Sequence, residues 1–342
     1  MKAGVYYNNR DVRVEEKPVP SLGDREILIK VMASGICGSD VLEWYRIKKA
    51  PLVLGHELAG EVVETGKGAA FKKGDRVFAT HHVPCGECIY CRNGNETACE
   101  VFHGENNFTP GGFSQFLKVS GRSLKTGVFK LPKNMSYETA TFIEPLGTVV
   151  RGQRAAGTKK GDTVLVIGSG ITGILHIMLA KHLGAARIIA TDISDYRLSA
   201  AKKAGADSVI NANEDVPAEV KRANNGRPAD RVIICAGALA AAEQALRCVD
   251  KGGVIIFFAV PLPGEKVGID FTPFWRNDIT VKTSYGAAPR DNKEAIRLLA
   301  SGAIKADSII THRLPLGRIA EGFALAASGK DCLKVVILPN EV

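Results

Sequence analysis

The sequence lacks the long apolar run that a membrane span requires. No stretch approaches about eighteen consecutive apolar residues. The N-terminal segment turns polar at Asn8, too early for the apolar region of a secretory signal peptide. We therefore expect a cytoplasmic protein with no membrane partner.

A clustered basic segment is also missing, although the formal net charge is +9 and the pI is about 9.1. Lys and Arg are scattered, and no basic run is interleaved with aromatic residues. Nucleic-acid-binding surfaces concentrate their positive charge. We therefore expect no nucleic-acid partner and interpret the charge as a solvated surface that attracts a phosphate-bearing cofactor.

The chain has eight cysteines and no export signal, which argues against a disulfide framework and for metal or thiol chemistry. Four of them lie between Cys85 and Cys99, and Cys37 stands in a glycine-flanked segment. The other three lie in apolar surroundings and are interpreted as small buried hydrophobic side chains: Cys235, Cys248 and Cys332.

At 342 residues the chain is long enough for two domains. Up to about residue 140, short runs between Gly and Pro predict β-strands, among them Ile27–Val31, Gly60–Glu64 and Arg76–Ala79. From about Gly161, apolar strands such as Val164–Ile167 alternate with Ala-rich helical stretches, which predicts an α/β fold with a parallel doubly wound sheet. That pattern ends near Tyr285, and the apolar run Val335–Leu338 is predicted to return to the first domain as a strand.

A glycine-rich loop, Gly168-Ser169-Gly170-Ile171-Thr172-Gly173, matches the dinucleotide pattern G-x-G-x-x-G. The pattern alone is weak, but here it follows a predicted buried strand and opens an apolar helix. Its glycines permit a tight turn, a close approach of the backbone to a pyrophosphate and close packing of the helix on the strand. The helix N-terminus attracts the phosphate charge.

Asp192 ends the next predicted strand, about 20 residues after the loop, where an acidic residue accepts hydrogen bonds from the adenosine ribose. Its negative charge would repel a 2′-phosphate, which favours NAD over NADP. The alternative is that Asp192 caps the helix that starts near Ser194.

The spacing C-x2-C-x2-C-x7-C, formed by Cys85, Cys88, Cys91 and Cys99, predicts a closed tetrahedral zinc site with a structural role. An iron–sulfur cluster is the rival. The bacterial ferredoxin pattern requires a last gap of three residues followed by Pro, whereas Glu100 follows Cys99 here. Zinc is therefore favoured.

Three further residues, Cys37, His56 and Glu144, are suitable ligands for a catalytic zinc, but each alone has an ordinary structural explanation. The segment 55–66, Gly-His-Glu-Leu-Ala-Gly-Glu-Val-Val-Glu-Thr-Gly, resembles the zinc-dependent medium-chain dehydrogenase signature G-H-E-x-x-G-x-V-x-x-x-G. The resemblance continues through residues 74–77, the four cysteines and the nucleotide loop. Glu144 stands where many alcohol dehydrogenases carry a third cysteine, which is similar to the sorbitol and polyol dehydrogenase branch.

The resemblance implies a role for each residue around the catalytic zinc. Cys37 and His56 would be ligands, Glu144 would bind directly or through water, and Glu57 would enter the coordination sphere as ligands exchange. Asp40 would orient His56, and Ser39 would hydrogen-bond the substrate hydroxyl. Four further residues are implied near the cofactor: Thr148, Ile171, Arg197 and Val260.

The same resemblance implies the domain organisation. A β-rich GroES-like catalytic domain would comprise residues 1–147 and 286–342, with the structural zinc at about 84–100. A Rossmann NAD-binding domain would comprise residues 148–285. Relatives of this kind form homodimers or homotetramers, so we expect a homo-oligomer.

The implied reaction transfers a hydride between NAD and a secondary alcohol. Zinc would lower the pKa of the hydroxyl and Ser39 would pass its proton onward. Two departures matter: Leu42 replaces the histidine that ends the relay in many relatives, and Ser284 replaces an arginine typical of sorbitol dehydrogenases. We therefore expect a polyol, sugar derivative or simple alcohol as substrate, without commitment to sorbitol.

Other readings of the sequence remain beside this one. Threonine and vicinal-diol dehydrogenation would use the same chemistry. A zinc-free quinone or enoyl reductase on the same fold would leave the four cysteines, and the coexistence of Cys37, His56 and Glu144, without a reason. A non-enzymatic structural or nucleic-acid-binding role would leave the nucleotide loop without one.

Overall fold

The computed structural model describes residues 1–104 and 107–341. The strands there are, in chain order, β1 (Lys2–Asn8), β2 (Asp11–Glu16), β3 (Ile27–Gly35), β4 (Leu52–Val53), β5 (Glu57–Thr65), β6 (Arg76–Ala79), β7 (Phe108–Thr109), β8 (Phe116–Val119), β9 (Val128–Lys130), β10 (Thr163–Ile167), β11 (Arg187–Asp192), β12 (Ser208–Asn211), β13 (Ala229–Ile234), β14 (Val249–Phe257), β15 (Thr280–Thr283), β16 (Ile310–Pro315) and β17 (Lys334–Leu338).

The helices alternate with these strands most regularly in the middle of the chain. The α-helices are α1 (Glu43–Arg46), α2 (Ile89–Arg92), α3 (Glu100–Gly104), α4 (Ser123–Thr126), α5 (Tyr137–Ala140), α6 (Ile143–Ala156), α7 (Ile171–His182), α8 (Asp195–Ala204), α9 (Val216–Ala223), α10 (Leu239–Cys248), α11 (Phe271–Arg276), α12 (Pro289–Ala300) and α13 (Ile319–Ser328). The 3-10 turns are Gly38–Val41, Ile47–Lys49, Glu96–Ala98, Ala306–Ile309 and Leu316–Arg318. Among the described residues, no helix combines the length and the apolar character needed to cross a lipid bilayer.

The chain divides into two compact units, Met1–Gly147 with the segment from Gly286 onward, and Thr148–Tyr285. The first unit is built from β-sheets. One is β2-β1-β4, and the larger one follows the path β16-β17-β3-β5-β6-β9, with β8 also paired to β3. Alternate residues of β3, including Ile27, Ile29 and Val31, are buried in its core because side chains on a strand alternate between faces.

The end of the chain returns to this first unit, as the apolar run at 335–338 predicts. β17 is antiparallel to β3, with Val336 opposite Gly35, and parallel to β16. β3 is in turn antiparallel to β5, with Gly35 opposite Glu57. β17 and β5 therefore flank the end of β3 on its two sides, immediately before Cys37.

The second unit contains a parallel six-stranded sheet in the order β12-β11-β10-β13-β14-β15. All five residues of β10 are buried, which explains its continuous apolar sequence. β14 begins at Val249, which pairs with Ala229 ahead of a register shift. The predicted α/β class, with a doubly wound sheet and a β-rich second part, is confirmed.

Candidate active site and metal centres

The four cysteines of the 85–99 segment meet at one point. Their sulfur atoms all lie within 4.8 Å of one another, with 3.5 Å between Cys88 Sγ and Cys91 Sγ and 3.9 Å between Cys85 Sγ and Cys91 Sγ. None of the four is in a disulfide. Sulfurs around a tetrahedral zinc with bonds of about 2.3 Å stand about 3.8 Å apart, so the donor set fits zinc.

Local hydrogen bonds prepare these sulfurs for a cation. The backbone N–H of Cys88 donates to Cys85 Sγ at 3.3 Å and that of Cys85 to Cys99 Sγ at 3.4 Å. Hydrogen bonds from the backbone of Glu87 and Cys88 lower the pKa of the Cys85 thiol to about 6. Burial instead raises the pKa of Cys91 to about 12. A divalent metal bound to these sulfurs would favour the thiolate form of each.

A second group of metal-binding atoms comes from the ends of β3 and β5. Cys37 follows β3, His56 directly precedes β5, and Glu57 is the first residue of β5. Their ligand atoms also lie within 4.8 Å of one another, and His56 and Glu57 are buried. Thiolate, imidazole and carboxylate are all zinc ligands. The pairing of Gly35, at the end of β3, with Glu57, at the start of β5, therefore brings together ligands that are about 20 positions apart in the sequence.

Asp40 lies behind His56, fully buried. Its Oδ1 is 3.4 Å from His56 Nδ1, and its Oδ2 accepts a hydrogen bond of 3.1 Å from the backbone N–H of Cys37. Burial alone would raise the pKa of Asp40, but the charge of His56 lowers it. Burial would lower the pKa of His56, but Asp40 and Cys37 raise it well above its ordinary value. The surroundings of His56 thus favour a positive charge, which a metal on the other ring nitrogen would supply.

Ser39 is held by Arg46, a residue that sequence reasoning missed. Arg46 Nη2 donates to Ser39 Oγ and Arg46 Nε donates to the Ser39 carbonyl oxygen, both at 2.9 Å. The same guanidinium lies 3.5 Å from Asp40 Oδ1. The hydroxyl of Ser39 donates to Cys37 Sγ at 3.4 Å. In the sequence nothing singles out Arg46, because its partners lie on the preceding turn.

Glu144 is buried at the start of α6, outside the group of three ligand atoms that Cys37, His56 and Glu57 form. Burial raises the pKa of the Glu144 carboxyl to about 7. The charge of Glu57 also raises this pKa, whereas the charge of His56 lowers it. Glu144 is thus close enough to both residues for their charges to change its pKa.

Two further residues around this site were not expected from the sequence. Lys334, at the start of β17, forms an ion pair with Glu57 in which both side chains are 1% exposed. A single lysine at the head of an apolar run was the signal that could have found it. His81 lies with its ring centroid 5.6 Å from that of His56. Phe102 is buried against His82 and does not line an open surface.

The glycine-rich loop follows β10 and leads into α7, as its pattern predicts. Gly168 has φ +93°, a conformation that favours glycine. A Cβ on Gly173 would overlap the Gly168 carbonyl, so the third glycine is needed for close packing. Gly170 is the N-cap of α7, Ile171 is its first residue and Thr172 its second. The loop thus leaves the N-terminus of a twelve-residue helix next to a tight turn.

Asp192 lies at the end of β11 and is bound to the loop. It accepts hydrogen bonds from the backbone N–H of Ser169 at 2.8 Å and from that of Ser194 at 3.0 Å. Ser194, and not Asp192, is the N-cap of α8, so the capping alternative for Asp192 is wrong. Arg197 Nη1 lies 3.9 Å from Asp192 Oδ2. Of the other residues expected near the cofactor, Thr148 lies on α6 and Val260 is 58% exposed beyond β14.

Comparison with known proteins decides the family. Residues 23–133 match the model of the alcohol dehydrogenase GroES-like domain, and residues 172–301 match that of zinc-binding dehydrogenases. The chain is 35% identical to the sorbitol dehydrogenase of Bacillus subtilis, covering 99% of this chain and 98% of that protein. It is 39% identical to the L-threonine 3-dehydrogenase of Pyrococcus abyssi, covering 94% of each.

The chain belongs to the zinc-dependent medium-chain alcohol dehydrogenase family.

Solved structures also support the membership of this chain in the dehydrogenase family. The alcohol dehydrogenase TADH from Thermus sp. ATN1 is 31% identical, with a TM-score of 0.87 over 99% of each chain. An alcohol dehydrogenase from E. coli CFT073, solved with NADH, is 26% identical with the same TM-score and coverage. The zinc and NAD(H) expected from the sequence agree with this membership. The protein is an oxidoreductase that acts on alcohols.

Proposed function

We propose that this dehydrogenase oxidises a secondary hydroxyl of a polyol or sugar derivative, with NAD as the hydride acceptor. The observation that carries the proposal is the Cys37–His56–Glu57 group, with the buried carboxyl of Glu144 beside it instead of a third cysteine. Cys37 and His56 would hold the catalytic zinc, with Glu144 as a direct or water-mediated ligand. The four cysteines from Cys85 to Cys99 would hold the structural zinc.

In this proposal zinc supplies Lewis-acid polarisation of the hydroxyl, and the nicotinamide supplies the hydride acceptor. Ser39 Oγ would accept a hydrogen bond from the substrate hydroxyl and, as it takes that proton, its own hydroxyl would give up its proton to a water molecule. Arg46 already donates to Ser39 Oγ and has no lone pair with which to accept a proton. Arg46 therefore fixes the Ser39 hydroxyl and stabilises negative charge near it, and water is the acceptor because neither Arg46 nor Leu42 can take the proton.

The cofactor preference rests on Asp192. Its carboxylate stands at the end of β11, fixed by two backbone N–H groups, where it would accept hydrogen bonds from the adenosine ribose and repel a 2′-phosphate. The N-terminus of α7, with Gly168, Gly170, Ile171, Thr172 and Gly173 around it, would bind the pyrophosphate. Thr148, Arg197 and Val260 are proposed to complete this site.

Relatives named for threonine give the second candidate substrate, an amino alcohol that carries a carboxylate. Such a substrate needs a cation near the zinc. Arg46 is the basic group beside Ser39, but its guanidinium already contacts Ser39 and Asp40. The geometry therefore favours an uncharged polyol, and a vicinal diol fits the same site.

We also propose that the protein is a cytoplasmic homodimer or homotetramer. In the second unit all four residues of β15 are exposed at the edge of the sheet. Phe271 and Trp275, one helical turn apart on α11, are 70% and 81% exposed. An unpaired strand edge and two large exposed aromatic side chains are features of subunit interfaces. Light scattering would give the mass, and Trp275→Glu, compared with Trp44→Glu, should shift it toward the monomer.

Metal content and substrate oxidation test the catalytic proposal directly. Two zinc ions per chain are expected, together with NAD reduction in a screen of polyols, sugar phosphates, amino alcohols and diols. Cys37→Ser should abolish turnover and leave NAD binding largely intact. The control is Cys332→Ser, a change at a cysteine outside both proposed zinc sites, which should retain both zinc ions. The proposal would be refuted if the protein contained one zinc ion or none. It would also be refuted if none of the alcohols in the screen supported NAD reduction.

A further inference from the structure

The ion pair between Lys334 and Glu57 is buried deep in the first unit. Each side chain is 1% exposed, and the two residues are 277 positions apart in the sequence. Lysine is among the residues that are least often fully buried. A lysine in such a place needs partners that offset the loss of hydration. Its contacts therefore indicate what this charge does.

The Lys334 ammonium contacts a carboxylate, a carbonyl oxygen and an aromatic ring. It donates to Glu57 Oε2 and, at 3.1 Å, to the carbonyl oxygen of Ile36, the residue before Cys37. Its Nζ also lies 5.8 Å from the centre of the Phe142 ring. A carboxylate, a carbonyl and an aromatic face are each favourable to a cation. Lys334 is thus fixed between the strand that delivers Cys37 and the strand that delivers Glu57.

The absence of a side chain at Gly35 leaves the space in which Lys334 and Glu57 meet. Gly35 lies opposite both Glu57 and Val336 in the strand register. A Cβ on Gly35 would overlap the Glu57 carboxylate and the end of the Lys334 side chain. Glycine at this position therefore allows the ammonium and the carboxylate to meet over β3.

The Glu57 carboxylate lies between the Lys334 ammonium and the proposed catalytic metal site. One oxygen, Oε2, is bound by Lys334, and the carboxylate also lies within 4.8 Å of the ligand atoms of Cys37 and His56. A carboxylate whose charge is already balanced by an ammonium is a weaker ligand for a second cation. If the ammonium were absent, the same carboxylate would be a buried, unbalanced anion beside a metal site.

We propose that Lys334 is a positioning residue that holds the Glu57 carboxylate off the catalytic metal and so preserves an open coordination position for substrate. The proposal rests on the proposed catalytic zinc site. It predicts that loss of the ammonium turns Glu57 into a permanent ligand. The metal is then held more tightly and the enzyme is less active, a combination that simple damage to the site would not produce.

The test uses the full-length protein with Co²⁺ at the catalytic site, because Co²⁺ reports its coordination number by visible absorption. Lys334→Met should release Co²⁺ to EDTA about tenfold more slowly than the wild type. Its visible absorption should weaken as the coordination number rises from four to five. In Glu57→Gln/Lys334→Met both effects should disappear, and the release rate should match that of Glu57→Gln. Lys330→Met, a change at an exposed lysine nearby, is the matched control.

The outcomes separate the two proposals. A wild-type protein without a second zinc contradicts the proposed function. Two zinc ions, with release from Lys334→Met as fast as or faster than from the wild type, overturn the role of Lys334 alone. Slow release that persists in the double variant also overturns it, because the effect would then not require Glu57. If Lys334→Met does not fold, Lys334→Gln removes the charge and keeps a donor for the same comparison.

Discussion

Arg46 donates from Nη2 to Ser39 Oγ at 2.9 Å, so the hydroxyl proposed to bind the substrate is fixed by a guanidinium from the following helix. Arg46 occupies one lone pair of Ser39 Oγ, so that lone pair cannot accept a hydrogen bond from another donor. The second lone pair stays available to the substrate. The chain therefore has Leu42 in place of the histidine of many relatives, and Arg46 orients Ser39.

Arg46→Met should lower kcat/KM by about tenfold, because Ser39 loses its fixed orientation and its neighbouring positive charge. Ser39→Ala should cost more, about a hundredfold, because it removes the group that handles the proton. Steady-state kinetics with the best alcohol from the screen checks both values. Arg10→Met, at an exposed arginine of the same unit, should have no effect; an Arg46 variant as active as this control would contradict the role.

Asp192→Asn should raise the KM for NAD and reduce the preference for NAD over NADP by tenfold or more, about the worth of a hydrogen bond to a charged group. Ser169 donates to Oδ2 of Asp192 and Ser194 donates to Oδ1, so the single oxygen of the amide keeps one of these hydrogen bonds and the side chain carries no charge. The measurement is kcat/KM for each cofactor. Asp195→Asn, at the first residue of α8, is the control. Unchanged selectivity in Asp192→Asn would show that the carboxylate does not contact the ribose.

Cys91→Ser should reduce the zinc content from two ions to one and lower the melting temperature while leaving the catalytic metal bound. The physical reason is that a structural zinc contributes its binding free energy to folding. Elemental analysis and thermal denaturation measure the two effects. Cys332→Ala, which removes a buried thiol outside both metal groups, should keep both zinc ions. A Cys91 variant with two zinc ions would contradict the assignment of the four-cysteine site.

His176→Leu should make the protein less sensitive to acid. His176 is fully buried on α7 against Phe258, and burial lowers its pKa to about 3 from 6.5. Because the folded pKa is depressed, the folded state loses stability as the pH falls from 6.5 toward 3. At pH 5 this loss is about 2 kcal/mol relative to pH 7.

The measurement for this prediction is the free energy of unfolding of wild type and variant at pH 7 and pH 5. The difference between the two proteins, rather than either value alone, isolates His176 from the metal ligands that also titrate. His182→Leu, on the same helix, is the control. A difference that is the same at both pH values would mean that the pKa of His176 in the folded state is not lowered from its value in the unfolded chain.

The nucleotide loop and the four-cysteine site could be predicted because each is a short contiguous pattern. The glycine pattern together with its flanking strand and helix identifies Gly168 to Gly173, and spacing alone places Cys85 to Cys99 around one point. The pairing of Cys37 with His56 needed the family resemblance, because nothing in the sequence states which strands are neighbours. Lys334 escaped prediction for that reason, since its partner Glu57 is 277 positions away. Arg46 escaped it although Ser39 is only seven positions away, because no sequence pattern marks that contact.

The return of β17 to β3 has a consequence for how the protein is made. Glu57 obtains its counter-ion only when the ribosome has added Lys334, after the entire segment that forms the second unit. Until then no ammonium from β17 stands beside the Glu57 carboxylate. The last strand thus supplies the counter-charge for a carboxylate that one of the first strands delivers.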